Sequence, residues 1–246
     1  MRNIQAWIFV RGESEGLPGK NTRPLLGRPL VFYTIEAARK CRYIRDVFVS
    51  TDSKTIAAAA EQCGAVVPFL RPPSLASAEV PVYQAWRHAI EWNRAQNEFP
   101  KMDILVSLPI TTPLKGAEDI ERAIDLYLGG GCDAVAAVTP SNRHPSYDMM
   151  YRDDNGASRL VLPSKDPLTR HRESSVYDLT NVVYVMGADY AMQNDNWLSG
   201  RVKTIVVPNE RSIDLRNTMD FLAIEGMLAR RNGQSAVNGL KRATGC

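Results

Sequence analysis

The sequence predicts an α/β domain built around a largely parallel sheet. Short apolar runs alternate with segments of helical periodicity, which is typical of successive β-α-β units. A loop dense in Gly, Ser, Pro and Asn follows the first apolar run, where an open parallel sheet has its ligand crevice. A chain of 246 residues allows one large domain or two small ones, and one domain is the default. We therefore predict a single domain over residues 1–246 with three layers, α/β/α.

The first half of the chain predicts repeated strand-helix pairs. The predicted elements are a strand at 6–10, a helix at about 30–39, a strand at 47–50, a helix from Ser53 to near Gly64, a strand at 65–70 and a helix at 82 to about 96. Thr51-Asp52-Ser53 is a good helix start, because a short polar side chain can cap the first free N–H groups. Gly64 is a typical residue just past a helix end.

The second half continues this pattern and then interrupts it. The predicted elements are a strand at 104–108, a helix at about 118–128 that ends at three glycines, strands at 134–138, 182–185 and 204–207, and a helix at about 218–230. The region from about 140 to 180 is polar, irregular and too long for a simple loop. We predict an excursion there that builds a lid or a dimer contact, and a frayed C-terminal tail.

Composition and charge exclude several classes of protein. The net charge is only +3 and the charges are interspersed, so the sequence favours a small phosphate ligand over a nucleic acid. No stretch approaches the roughly 20 apolar residues that cross a bilayer, and the N-terminus leads directly into an apolar strand. The four cysteines lack Cys-x-x-Cys spacing, which argues against a zinc site and fits reduced thiols. We expect a cytoplasmic protein without a membrane or nucleic-acid partner.

The loop from Arg11 to Asn21 is the strongest candidate for a ligand site. Its glycines let backbone N–H groups approach phosphate oxygens closely. Arg11 and Lys20 supply positive charge for hydrogen bonds to a triphosphate. The alternative is an ordinary solvated connection between a strand and a helix.

Several further motifs follow this loop in a fixed order. They are Arg28-Pro-Leu with Tyr33-Thr34-Ile35, Val49-Ser50-Thr51-Asp52-Ser53, Leu70-Arg71-Pro72 with Leu75-Ala76-Ser77, and Thr111-Thr112-Pro113-Leu114-Lys115. Together with Arg11, Ser14, Lys20 and Asn21, this set resembles the cytidylyltransferases that activate nine-carbon sugar acids, typified by the acylneuraminate cytidylyltransferases. Their loop reads Ala-Arg-x-x-Ser-Lys-x-x-x-x-Lys-Asn after an apolar strand. The resemblance covers roughly the first half of the chain, in order.

The resemblance implies a fold and a reaction. The fold is the Rossmann-like, GT-A-like fold of nucleotide-diphospho-sugar transferases, with a protruding segment and a homodimer. The reaction is attack of a sugar-acid hydroxyl on the α-phosphate of CTP, which forms a CMP-sugar and releases pyrophosphate, commonly with Mg²⁺. Positioning and charge neutralisation carry most of such catalysis.

The resemblance also implies roles for individual residues. Arg11, Lys20 and Asp214 are expected to be catalytic, and Asp214 to bind the metal. The expected nucleotide-binding residues are Arg11, Gly12, Ser14, Lys20, Asn21 and Arg71. The expected sugar-acid contacts are Thr111, Thr112 and Arg170, in a region where Thr169-Arg170-His171-Arg172 is concentrated enough to attract a carboxylate.

Four positions depart from the family pattern. Glu15 stands where the family has a lysine, and Arg216 replaces the second carboxylate of an Asp-x-Asp. The segment from Pro109 lacks the family glutamine, and Ala78 replaces an aspartate. Two interpretations stay open: a transferase with an altered or related sugar acid, and a nucleotide-binding homologue without the standard activity. A glycosyltransferase that uses a nucleotide sugar would need a mid-chain Asp-x-Asp, which the sequence lacks.

Three other residues have ordinary structural interpretations. His88 lies among tryptophans and fits a partly buried structural histidine. Tyr184 fits core packing with its hydroxyl near the surface. Asp220 lies in the first turn of the last helix, where a carboxylate interacts favourably with the helix dipole.

Overall fold

The computed structural model describes residues 2–13, 19–21, 23–163 and 175–233. The strands in these residues are β1 (Ile4–Phe9), β2 (Val47–Ser50), β3 (Ile104–Ser107), β4 (Ala134–Pro140), β5 (Met150–Arg152), β6 (Ser158–Leu160), β7 (Tyr177–Gly187) and β8 (Val202–Val206). The helices are α1 (Leu30–Arg39), α2 (Lys54–Gln62), α3 (Val82–Ala95), α4 (Ala117–Leu128), α5 (Ala188–Gln193), α6 (Asn209–Ser212) and α7 (Thr218–Arg231). None of these helices is long and apolar enough to span a bilayer.

Six strands form the central sheet, in the order β2-β1-β3-β7-β4-β8. β1 pairs in parallel with β2 and β3, and β4 pairs in parallel with β8. β7 runs antiparallel to both of its neighbours, β3 and β4. The prediction of a largely parallel sheet is therefore confirmed, with one central strand reversed. The carboxyl ends of β1, β2 and β3 lie at the same edge.

Helices cover both faces of the sheet. Trp7 of β1 packs on one face with Trp86 of α3 and Ala191 of α5. Its neighbours Ala6 and Ile8 point to the opposite face, where the core includes side chains of α1, α2, α4 and α7. This alternation along β1 follows from the two-residue period of a strand. The α/β fold class with three layers is confirmed.

The predicted strand at 65–70 is wrong. Only two isolated bridges join this segment to the sheet, Phe48 with Val66 and Thr51 with Leu70. Pro68 lies between the bridges and has no N–H to donate to β2. The segment therefore runs beside the sheet edge without a continuous ladder.

The described part of the region from 140 to 180 is more regular than predicted. β5 and β6 form an antiparallel hairpin, and β7 begins at Tyr177. Asp153 Oδ1 closes the hairpin turn by accepting from the N–H groups of Asn155, at 3.0 Å, and Ala157, at 2.9 Å. Every residue of β5 is exposed, so no apolar alternation marks this strand in the sequence. The predicted C-terminal tail lies outside the described residues.

The structure gives His88 and Asp220 ordinary structural contacts. The His88 ring lies edge-on to Phe69 with centroids 4.5 Å apart, and burial lowers the pKa of His88. Asp220 is part of a capping box at the start of α7: its N–H donates to Asn217 Oδ1, and its Oδ2 accepts from the Asn217 N–H. Both findings agree with structural roles.

Candidate functional site

Arg71 is buried at the carboxyl ends of β1 and β2. Its side chain is only 3% exposed, its Nη2 donates to Val10 O at 2.8 Å, and this atom lies 3.7 Å from Asp52 Oδ1. Burial lowers the pKa of Arg71, and the charge of Asp52 opposes that shift. A buried guanidinium with so few partners is costly unless further groups pair with it. A bound ligand can supply those groups.

Asp52 also holds the start of the glycine-rich loop. Its Oδ1 accepts from the Gly12 N–H at 2.9 Å. A Cβ atom on Gly12 would lie 3.1 Å from Ser53 Cβ, which is closer than almost all carbon contacts of that kind. Glycine at position 12 therefore lets the loop pass directly over the N-terminus of α2.

The end of the loop joins two distant parts of the chain. Asn21 Nδ2 donates to Arg11 O at 2.7 Å, which connects the two ends of the loop. Lys20 Nζ lies 3.4 Å from Leu215 O, next to Asp214. Burial lowers the pKa of Lys20, while Asp214 raises it and Arg11 and Arg216 lower it further. The Lys20 ammonium is therefore primed to gain from a nearby anion.

Buried polar atoms without a partner are concentrated at this edge of the sheet. Of the five such side-chain atoms found among the described residues, four lie here: Asn21 Oδ1, Ser50 Oγ, Arg71 Nε and Thr111 Oγ1. Unpaired buried polar groups are rare in folded proteins and cost free energy. Their clustering beside Arg11 and Lys20 indicates a site that a polar, anionic ligand completes.

Asp214, which lies near Lys20, is part of a hydrogen-bonded network. Its Oδ2 accepts from Arg216 Nε at 2.8 Å and from Asn181 Nδ2 at 2.9 Å. Tyr184 OH donates to Asn181 Oδ1 at 2.7 Å. Burial raises the pKa of Tyr184 to about 12, and the nearby charge of Asp214 acts in the same direction. The phenol therefore stays protonated and acts as a hydrogen-bond donor at physiological pH.

The loop after β3 connects the segment that carries Asp214 with Asn181. Leu215 N donates to Thr111 O at 2.7 Å, and Thr112 Oγ1 donates to Asn181 O at 2.7 Å. Lys115 lies in the same loop, and its ammonium contacts Pro109 O and lies 3.5 Å from Thr34 Oγ1. Burial lowers the pKa of Lys115 to about 7, opposed by Asp214 and Asp119.

The structure brings most of the residues predicted from the sequence to one edge. These are Arg11, Gly12, Lys20, Asn21, Arg71, Thr111, Thr112 and Asp214. Ser14 and Arg170 lie outside the described residues, as does Glu15. The roles of all these residues stay predictions.

Sequence reasoning missed three residues of this site. Asp52 was placed in a helix start and in a family motif but was given no role in the site, although it lies two residues after β2. Lys115 was placed in a family motif and was likewise given no role in the site. Asn181 is one polar residue before two valines, and nothing in its local sequence marks it as a partner of Asp214.

Asp214 fits a metal ion only if the substrate supplies most of the ligands. No group of three or more His, Cys, Asp or Glu side chains able to hold a metal occurs in the described parts of the chain. Within those parts, Oδ2 of Asp214 is engaged by two donors and Oδ1 by none. Mg²⁺ is commonly bound through one or two carboxylates, with phosphate oxygens and water as its other ligands. Asp214 suits a metal of that kind.

Comparison with known proteins identifies the family. The family model described as cytidylyltransferase matches residues 6–127, from β1 to α4. A CMP-N,N'-diacetyllegionaminic acid synthase of Legionella pneumophila is 31% identical over 228 residues, which cover 92% of this chain and 96% of that protein. The chain belongs to the cytidylyltransferase family. The predicted family and enzyme class, a CTP-dependent nucleotidyltransferase, are thereby confirmed.

Other relatives of this cytidylyltransferase span its whole length. Post-translational flagellin modification protein B of Campylobacter coli is 27% identical over 241 residues, covering 96% of this chain and 99% of that protein. A pseudaminic acid cytidylyltransferase of Campylobacter jejuni is 26% identical over 242 residues, covering 96% and 100%. The structure of a CMP:2-keto-3-deoxy-manno-octonic acid synthetase complexed with CTP has a TM-score of 0.69 and 14% identity, covering 93% and 99%. The last comparison confirms the fold.

Proposed function

We propose that this cytidylyltransferase transfers CMP from CTP to a nine-carbon ulosonic acid of the sialic or legionaminic type. Relatives named for such acids are 26–31% identical over most of the chain. The observation that carries the proposal is the convergence of the unpaired atoms of Asn21, Arg71 and Thr111 beside Lys20. This edge offers both cations and unsatisfied hydrogen-bonding groups to a nucleoside triphosphate.

The side chains of the site have two roles in the proposed reaction: they neutralise phosphate charge and orient the nucleotide. The hydroxyl of the sugar acid attacks the α-phosphorus, the bond to the β-phosphate breaks, and pyrophosphate leaves. Arg11 and Lys20 neutralise the phosphates, and Asn21 and Arg71 orient the nucleotide. Holding the reactants in line and offsetting phosphate charge account for most of the rate enhancement in such reactions.

The acceptor binds on the side of the loop after β3. Thr111 and Thr112, with Arg170, are the proposed contacts of the sugar acid. Thr111 Oγ1 is buried and unpaired, so it gains a partner when a hydroxyl or carboxylate approaches. Thr112 instead donates to Asn181 O, so its side chain shapes the site by holding β7 in place.

Mg²⁺ is the proposed cofactor, and Asp214 Oδ1 is its proposed protein ligand. When bound, Mg²⁺ supplies positive charge to the triphosphate and to the departing pyrophosphate. Asp214 lies next to Leu215, whose carbonyl contacts Lys20, so the carboxylate and the ammonium are close neighbours. The two residues would act on the same group of phosphates.

A second candidate is a nucleotide-binding homologue without turnover. Arg216 pairs with Asp214 at 2.8 Å and so competes with a metal for the carboxylate. Glu15 adds a negative charge to the phosphate loop. The double variant Glu15→Lys with Arg216→Asp separates the two candidates. Lower turnover in the variant supports a working, rearranged site, and a gain in turnover supports a decayed enzyme.

The first test is pyrophosphate release from CTP and Mg²⁺ with a panel of acceptors. The panel contains sialic, legionaminic, pseudaminic and deoxyoctulosonic acids, with UTP and ATP as nucleotide controls. We expect release with CTP and one nine-carbon acid. Binding of CTP without release across the panel would favour the second candidate.

We also propose that the protein is a cytoplasmic homodimer. The first half of β7 and the β5–β6 hairpin expose large apolar side chains: Met149, Met150, Tyr151, Leu162, Tyr177 and Leu179. A concentration of apolar surface of this kind is typical of a protein interface. Cys41, Cys63 and Cys132 are free thiols, which fits a reducing compartment.

A further inference from the structure

A bulge in β7 places Asn181 at the candidate site. Ala136 of β4 pairs with Tyr184, but the next residue, Ala137, pairs with Thr180. Asn181, Val182 and Val183 are therefore inserted relative to β4. Bulges redirect side chains and are frequent beside active sites. Here the two valines are buried in the core and Asn181 faces Asp214.

Three hydrogen bonds determine the position of the Asn181 side chain and backbone. Its carbonyl accepts from Thr112 Oγ1 at 2.7 Å, which anchors the bulge to the loop after β3. Its Oδ1 accepts from Tyr184 OH at 2.7 Å. The phenol keeps its proton, so it always presents a donor to Oδ1 and thereby turns Nδ2 towards Asp214.

Asn181 is the rigid one of the two partners of Asp214. Both Asn181 Nδ2 and Arg216 Nε donate to Oδ2, at 2.9 and 2.8 Å. The Arg216 side chain is 74% exposed, and an exposed ion pair holds its partners only weakly. The amide comes from a central strand and is fixed by two further bonds. Rotation of the carboxylate would break the bond to this fixed donor.

We propose that Asn181 is a positioning residue for the transfer reaction. It holds the Asp214 carboxylate by Oδ2, so that Oδ1 is presented to a divalent cation bound with the triphosphate. Asn181 acts through Asp214 and touches neither the nucleotide nor the reacting atoms. This inference rests on the proposed function, because it assigns Asp214 to the metal.

The test is the binding of Mn²⁺ to the complex of enzyme and CTP, measured by electron paramagnetic resonance without a sugar acid. Asn181→Leu removes the amide at nearly constant side-chain volume. We expect the Kd for Mn²⁺ to rise about 10- to 100-fold, the usual effect of removing a partner of a metal ligand. The Mg²⁺ concentration for half-maximal pyrophosphate release should rise with it. CTP affinity in EDTA, measured by calorimetry, should change less than about twofold, because Arg11 and Arg71 keep their contacts.

Asn194→Leu is the matched control for loss of an asparagine. Asn194 Nδ2 donates to Tyr190 O at 2.9 Å at the end of α5, beyond the opposite end of β7. This variant should lower the Tm but leave Mn²⁺ binding unchanged. Tyr184→Phe is a second probe, because it removes the hydroxyl that orients the amide. It should weaken Mn²⁺ binding several-fold, and it decides the question if Asn181→Leu does not fold.

Unchanged Mn²⁺ affinity in the folded Asn181 and Tyr184 variants would overturn the inference. Absence of Mn²⁺ binding to the wild-type complex would overturn it as well. Failure of the proposed function is a separate result: the wild type would bind CTP and Mn²⁺ but release no pyrophosphate with any acid.

Discussion

Lys115 is the clearest case of a single residue whose chemistry depends on its surroundings. Its side chain is almost fully buried in the segment between β3 and α4, and burial lowers its pKa to about 7. In the unfolded chain a lysine has a pKa of about 10.4. Between these two values the unfolded state binds more protons than the folded state. The free energy of unfolding therefore rises with pH from about 7 to 10.

Lys115→Met should remove this dependence. We expect the free energy of unfolding of the wild type to rise by about 2 kcal/mol more than that of the variant between pH 7 and pH 9. Urea denaturation at both pH values measures the difference. Lys40→Met, at an exposed position on α1, should keep the wild-type slope. Equal slopes for wild type and Lys115→Met would show that Lys115 is not buried as a neutral amine.

Lys20 is a half-buried cation that we propose to pair with the phosphates of CTP. Burial lowers the pKa of Lys20 and Asp214 opposes that shift, so a bound triphosphate would add further negative charge beside the ammonium. Lys20→Met should raise the KM for CTP about 10- to 100-fold, the loss of one hydrogen bond between charged groups. Steady-state kinetics measures this change. Lys203→Met, at the Gly130 end of β8, should leave the KM unchanged. An unchanged KM in Lys20→Met would remove Lys20 from the phosphate site.

Among the secondary-structure elements, α7 controls the segment that carries Asp214. Asp220 Oδ2 accepts from the N–H groups of both Asn217, at 3.0 Å, and Arg216, at 2.9 Å. The first turn of the helix therefore holds the backbone on which Asp214 and Arg216 lie. A capping box of this kind contributes to stability and also fixes the direction of the preceding chain.

Asp220→Ala should act on both stability and function. We expect the free energy of unfolding to fall by about 1 kcal/mol, the usual cost of losing a helix cap. The Mg²⁺ concentration for half-maximal activity should rise several-fold, because the backbone segment that carries Asp214 loses its anchor at the Arg216 N–H. Glu225→Ala lies outside the first turn of the same helix and should do neither. A loss of stability with unchanged Mg²⁺ dependence would limit Asp220 to a structural role.

The exposed apolar surface of β7 and the β5–β6 hairpin is a property of the whole molecule. We expect light scattering after gel filtration to give twice the 27.4 kDa of one chain. Leu179→Glu together with Met150→Glu should give a single chain, because both side chains are exposed in this surface. Met219→Glu removes an exposed methionine of α7 and should leave the dimer intact. A wild-type mass of one chain would contradict the homodimer.

Much of the architecture could be predicted because its signals are local. The helices at 30–39 and 82–95 follow from helical periodicity, and the strands at 47–50 and 104–107 from short apolar runs. The strand at 65–70 was predicted wrongly from its apolar run, although Pro68 within that run has no N–H for a continuous ladder with β2. The β5–β6 hairpin was missed because five of its six strand residues are exposed, so no apolar alternation marks it.

The ligand loop, most of the longer helices and sheet strands, and the family of this protein were readable along the chain. Arg11, Lys20, Arg71 and Asp214 belong to short motifs, and the motif that contains Arg11 and Lys20 follows β1. Three features could not be read along the chain: the reversed direction of β7, the pairing of Asn181 with Asp214 across 33 residues and the lowered pKa of Lys115. Each of these depends on groups that meet only after the sheet has formed. Hydrogen-bond partners and desolvation are set by distances in space, and a sequence records only distances along the chain.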